Sequence, residues 1–247
     1  MKRHLLFILA ISLLMFSCRE PKSGELRIEI DYSVNGQDIE VDKLQYHNEA
    51  GNTFLITEIQ WFISRIQLQN DHDEWIDFTT EDNIFYIDTD ITSSHLIKTT
   101  TLAVGHYKAL RFTFGLNEED NRSFRFVNPP ESNMFWPEHM GGGYHYMKLN
   151  GKYQNEDSIL APMNIHLGIG QNSDFSEFFH NYFVVEQPLD VVITENDITL
   201  KLTMIVDNWF RSPHTYDICE WGSAIMQNQE AQNVLKENGH DVFIITK

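Results

Sequence analysis

Imidazole and thioether are the side chains of this sequence with the most chemistry to offer. The chain holds eleven histidines, and His139, His145 and His166 fall in one stretch with Met134, Met140, Met147, Met163 and Trp136. Imidazole with thioether is a soft ligand set, suited to copper. A histidine among apolar neighbours also serves as a hydrogen-bonded core residue, so spacing alone leaves both roles open for His145 and His166. Other chemistries lack their residues. There is no Gly-x-Ser-x-Gly elbow, no His-Glu-x-x-His motif and no Walker A loop. Gly141–Gly143 precedes a strand and not a helix, which makes it a poor phosphate cradle; it suits close backbone approach or an open turn. Glu118, Glu119 and Asp120 read as solvated loop charge. The two cysteines, Cys18 and Cys219, have no zinc spacing, and Cys219 reads as a small buried residue. An enzyme is not expected.

The elements that must position these residues are strands. Leu26, Ile28, Ile30 and Tyr32 alternate with polar residues, as do Leu110, Phe112, Phe114 and Leu116, and Ile198, Leu200, Leu202, Met204 and Val206. This period of two predicts half-buried strands. Further strands are expected at Phe54–Leu68, Glu74–Phe78, Asn83–Ile87, Gly143–Leu149, Met163–Ile169 and Val184–Ile193. The alternation slips near Ser64–Arg65, which predicts a bulge. Thr194–Asp197 reads as a hairpin turn. About nine short strands point to an all-β fold, a β-sandwich or a barrel, and the expected architecture is an antiparallel β-sandwich with one wet face. One helix is expected near the end, capped by Ser223, with Ile225, Met226, Val234 and Leu235 on its buried face and Asn238–Gly239 at its close. By alternation His145 shares the inward face of Met147 and Leu149, whereas His166 stands opposite Ile165 and Leu167. The long segment Asn117–Gly143 carries three prolines and many large apolar residues, so it reads as a functional loop. Trp61 reads as core; Trp136 stays open because of its loop.

Composition and the N-terminus bound the setting. The chain has 247 residues, 42% of them hydrophobic, and a formal charge of −18. Such acidity disfavours nucleic acid as a partner and favours cations or a basic protein. Met1–His4 is basic, and Leu5–Phe16 is an apolar run too short for a span of about 20 residues but of signal-peptide length. It ends at Ser17–Cys18, which resembles a bacterial lipobox with Met15 where Leu is usual. Residues 1–17 are thus expected to be a lipoprotein signal peptide, Cys18 the lipidated residue, 18–24 a tether and 25–247 one domain. The expected place is the cell envelope, facing the periplasm or the surface, anchored by lipid to a bacterial membrane.

Met134-Phe135-Trp136-Pro137, followed by Gly142-Gly143-Tyr144-His145-Tyr146-Met147-Lys148-Leu149-Asn150-Gly151, resembles the signature of MbnP-like lipoproteins. Asn150 stands where Glu is common. Ile165-His166-Leu167-Gly168 is similar to the family's His-Leu-Gly element, Phe62–Leu68 to its early strand, and Ile225–Phe243 to its C-terminal helix and exit. The resemblance implies a copper-binding protein, with copper acquisition or storage as its role. It implies His166 as a ligand and Trp136 as a residue to be oxidised to kynurenine by a di-haem partner related to cytochrome c peroxidases. Trp136 on an exposed loop would be within easy reach of such a partner. The second ligand stays open among His145, His139 and His47, in that order. The alternative is a non-catalytic binding or assembly lipoprotein with structural histidines, presenting the Asn117–Gly143 loop to a protein or glycan.

Overall fold

The computed structural model describes residues 22–79, 81–99, 101–172 and 176–247. The expected signal segment and Cys18 lie outside the described residues. Two sheets face one another. The larger is built on β2 (Thr53–Asn70), an 18-residue strand. Its neighbours are β3 (Ile84–Asp88), β4 (Gly105–Phe114), β5 (Met147–Gln154), β6 (Leu160–Leu167) and β9 (Phe183–Ile193). The order runs β6, β5, β2, β4, β9, antiparallel throughout, with β3 also on β2. A small hairpin of β7 (Ile169–Gln171) and β8 (Phe178–His180) continues from β6. The smaller sheet holds β1 (Leu26–Val34), β10 (Ile198–Ile205) and β11 (Phe243–Thr246).

The inner faces meet in one core. Ile28 and Ile30 of β1 and Leu200, Leu202 and Met204 of β10 oppose Ile59, Trp61, Leu149, Met163 and Ile165 of the large sheet, all buried. Burying a side chain of this size contributes roughly 1.5–3 kcal/mol. Trp61 is core, as expected: its indole N–H donates to the Tyr32 hydroxyl across the sheets at 3.0 Å. The bulge is also where the alternation slips. Arg65 has φ +52°, and the register against β4 shifts between Arg111 and Thr113.

Several expectations change in the structure. Thr194–Asp197 is no hairpin turn, because β9 and β10 belong to different sheets; it is a corner between layers. Among the described residues β10 pairs parallel to β1, and an isolated parallel bridge joins Asn164 to Ala224. The helix α1 starts at Gln229 and runs to Asn238, capped by Asn228, whose side chain accepts from the Ala231 N–H. Ser223 therefore caps nothing there, and Ile225 and Met226 precede the helix. Alternation between Gly143 and Tyr146 is broken as well. The strand begins only at Met147, and Tyr144, His145, Tyr146 and Met147 are buried in succession.

The Asn117–Gly143 segment folds over the outer face of the large sheet. Phe126 stacks on Phe62 with ring centroids 5.4 Å apart, and the Tyr144 hydroxyl accepts from the Phe126 N–H at 2.7 Å. Asp120, expected as solvated charge, is buried and anchors the segment. It takes Arg65 Nε at 2.6 Å and Arg125 Nη1 at 3.2 Å. Gly142 and Gly143 have positive φ, and a Cβ on Gly143 would sit 2.4 Å from Asn121 Oδ1. Close approach is the use the sequence suggested for this run. It lets Asn121 and Ser123 accept the N–H groups of Tyr144 and Gly143.

Candidate metal centre

His166 leaves β6 on the outer face, opposite Ile165 and Leu167, as alternation requires. Its cross-strand neighbour is Lys148 of β5. His145 arrives from the irregular turn before β5 and not from the strand. It is buried, yet its ring lies beside that of His166, with centroids 5.0 Å apart and planes at 83°. The expected common face with Met147 and Leu149 fails, because the pleat has not begun at His145. Its backbone N–H and its Nδ1 both meet the Met134 carbonyl, at 2.6 and 2.9 Å.

Trp136 completes the floor. Its ring lies edge-on to His145, centroids 4.7 Å apart, and its indole N–H donates to the Met140 carbonyl at 3.0 Å. It has no solvent exposure. This corrects the expectation of an exposed, easily reached indole: the surrounding loop is pinned down and the ring packs directly on Gly168. A Cβ at Gly168 would come within 2.5 Å of the indole, so the position needs hydrogen alone.

Both imidazoles are held neutral. Burial pushes His145 down to about 3, with His166 and Lys148 adding to the fall and the carbonyls of Met134 and Phe135 opposing it. Burial, then the Lys148 charge, pushes His166 down to about 4. Lys148 itself is held below the usual ammonium range by burial, and its Nζ donates to the Asn133 carbonyl at 2.6 Å. Each ring spends one nitrogen on a protein partner: Nδ1 of His145 on Met134, and Nε2 of His166 on Asn150 Oδ1 at 2.9 Å. His145 Nε2 and His166 Nδ1 have no hydrogen-bond partner among the described residues.

Other expected residues lie apart. His139 is exposed on the turn Glu138–Met140, and no hydrogen bond or ring contact joins it to the pair. His47 is exposed at the far end of β2, opposite Thr53. That is about 20 Å along the strand from Gln60, the neighbour of Lys148. The thioethers of Met147 and Met163 point into the core between the sheets, away from the imidazoles; Met134 and Met140 serve the site through their carbonyls. Cys219 is half-buried, bonded by the Asn52 amide, and its thiol is pushed up by burial and by Asp217. It is not poised as a nucleophile.

Residues without an assigned role in the sequence join the outer face. Asn150 Nδ2 donates to Glu58 at 3.2 Å. Glu58, Asp88 and Asp90 bring carboxylate oxygens within 4.8 Å of one another. Their juxtaposition depends on strand register, for which a single sequence carries no signal.

Near the site the loop also exposes apolar surface. Phe124, with φ +63°, Val127 and Phe135 are 74%, 78% and 37% exposed. With Phe126, Ser132 and Tyr144 they line a pocket of about 410 Å³.

A family model described as MbnP matches residues 23–231. No curated protein matches the chain. Among solved structures, MbnP from Methylosinus trichosporium is similar at a TM-score of 0.59 and 12% identity, over 91% of this chain and 98% of that one. At that identity the likeness shows a shared fold.

Proposed function

The chain belongs to the MbnP family, and from that premise we propose that it binds copper at the His145–His166 pair. The observation that carries the reading is the pair itself: two imidazoles side by side, each held by a hydrogen bond at one ring nitrogen and with no hydrogen-bond partner at the other. The donor set fits the metal. Cu(I) takes few ligands of borderline or soft character, whereas structural zinc asks for four. Lys148 beside both rings favours the ion of lower charge. His145 and His166 would hold the metal, and Trp136 is placed edge-on to His145. Cleavage of the indole C2–C3 bond, with oxygen from a peroxide-type oxidant acting through a di-haem partner and C2 leaving as formate after hydrolysis, would leave the amine and carbonyl of kynurenine next to the pair. Because Trp136 is sealed, a di-haem partner would have to draw electrons through the packed loop or reach the ring when the loop opens.

Lipidation at Cys18 belongs to the same proposal, and with it an envelope location. Ser23–Gly24 pairs with Leu102–Ala103 just before β4. The Asn117–Gly143 segment follows the other end of that strand, about 30 Å away. An anchor at Cys18 would therefore present the metal centre away from the membrane. Service in copper acquisition or storage is consistent with that orientation.

The test is copper per chain together with intact mass, for protein made with and without its native neighbouring proteins. About one Cu(I) per chain, with a Trp136 peptide oxidised only when the neighbours are present, is the expected result. No retained copper in either preparation overturns the reading. It would shift the weight to a binding or assembly lipoprotein, a reading supported by the exposed Phe124, Val127 and Phe135. Partner binding insensitive to chelators would mark that case.

A further inference from the structure

Which nitrogen of each histidine carries its proton follows from the hydrogen bonds the rings make, and one of these bonds is made by a replaceable side chain. A carbonyl oxygen can only accept. The Met134 carbonyl at 2.9 Å from His145 Nδ1 therefore places the proton on Nδ1 and the lone pair on Nε2. For His166 the partner is an amide, whose oxygen and nitrogen could exchange places. Glu58 removes that freedom: its carboxylate accepts, so the Asn150 NH2 group must face it, at 3.2 Å. The Asn150 oxygen is then turned to His166 Nε2 at 2.9 Å. A neutral imidazole has one N–H, so a proton on Nε2 leaves the lone pair on Nδ1.

We propose that Asn150, oriented by Glu58, is a positioning residue that holds His166 as its Nε2–H tautomer. The pair then offers unlike nitrogens, Nε2 from His145 and Nδ1 from His166. The assignment of these nitrogens as ligands rests on the copper reading above; the tautomer does not. Hydrogen bonding of this kind orients a ligating imidazole and raises its basicity, and its loss typically costs 10–100-fold in metal affinity.

The experiment uses the mature chain labelled with 15N-histidine, metal-free at neutral pH, with long-range 1H–15N correlation reading each ring nitrogen. Wild type is expected to show His166 protonated at Nε2 and bare at Nδ1, and Cu(I) to move the His166 Nδ1 and His145 Nε2 signals. In Asn150→Leu, and in the smaller Asn150→Ala, the His166 signals should move toward a tautomer mixture while His145 stays unchanged. Cu(I) affinity should fall about 10–100-fold. Asn150→Asp combined with Glu58→Gln reverses the amide–carboxylate pair and keeps an acceptor facing Nε2, so it should restore both readouts. This rescue distinguishes positioning from packing even where the leucine variant folds poorly. A His166 tautomer that stays Nε2–H in Asn150→Leu and Asn150→Ala overturns the proposal, as does a wild type bare at Nε2. Wild type that shows the expected tautomers but takes up no Cu(I) overturns the copper reading and leaves the role of Asn150 standing.

Discussion

The outer face of the large sheet carries two clusters of possible ligands, joined by Asn150. On one side stand His145 and His166; on the other, Glu58, Asp88 and Asp90. The carboxylates are the closer-packed group, with oxygens within 4.8 Å of one another, and they carry the charge that attracts cations. Yet both oxygens of Asp88 and one of Glu58 are already engaged. Asp88 Oδ2 accepts from the Tyr86 hydroxyl at 2.6 Å and from Gln60 at 3.2 Å, and its Oδ1 accepts from the Asp90 N–H at 2.8 Å. Glu58 accepts from Asn150, and burial followed by the neighbouring carboxylates pushes it above the usual carboxylate range. The imidazoles are fewer and uncharged, but each keeps a lone pair unspent. The difference teaches that unengaged imidazole nitrogens, and not charge or ligand number, distinguish the proposed metal centre.

The contrast can be broken most severely from beneath the imidazoles. Trp136→Ala removes a fully buried ring from the floor of the pair, and about 3–5 kcal/mol of stability should go with it, read by denaturant unfolding. A loss below about 1 kcal/mol would mean that the floor is not packed as described.

Acid tests the imidazoles without mutation. Unfolded histidine titrates near 6.5, whereas His145 is held at about 3 and His166 at about 4. Between pH 6.5 and 4 the unfolded chain binds protons that the folded chain refuses, so stability should decline as pH falls through this window. The contribution is fully present above pH 6.5. Its total should be at most about 8 kcal/mol, and a His145→Gln, His166→Gln double variant should lose that part of the slope in melts taken at each pH. An identical slope in the variant would show that the pair is not buried neutral.

The smallest effect sharpens the comparison from the other side. Asp88→Asn should change Cu(I) affinity by less than about threefold, because it shares no direct partner with either imidazole. A larger change in a chelator competition would bring the carboxylates into the site.

Legibility in the sequence followed regularity of backbone. Period-two alternation located most of the strands, the bulge at Arg65 and the outward face of His166. The family elements around Trp136, His145 and His166 come together in one corner of the fold. What escaped lies where the pleat is broken or where partners are remote in sequence. His145 sits after a run of positive-φ glycines, so alternation counted back from Met147 assigned it the wrong face. Asp120 and Trp136 looked solvent-facing because loop residues usually are; their burial comes from Arg65, Arg125 and Gly168, none of them local to both. Asn150 stands against Glu58 from a strand 92 residues away, which only register reveals. Thr194–Asp197 resembles a hairpin locally, and only the division into two sheets makes it a corner.

The most direct test of the central claim is a double-mutant cycle in Cu(I) affinity, by chelator competition, for wild type, His145→Ala, His166→Ala and both together. If the two lone pairs serve one ion, each single change should weaken binding by more than about 100-fold and the double change should do little more, a strongly non-additive cycle. Single variants that bind copper as wild type does, or losses that simply add, would contradict a shared site at His145 and His166.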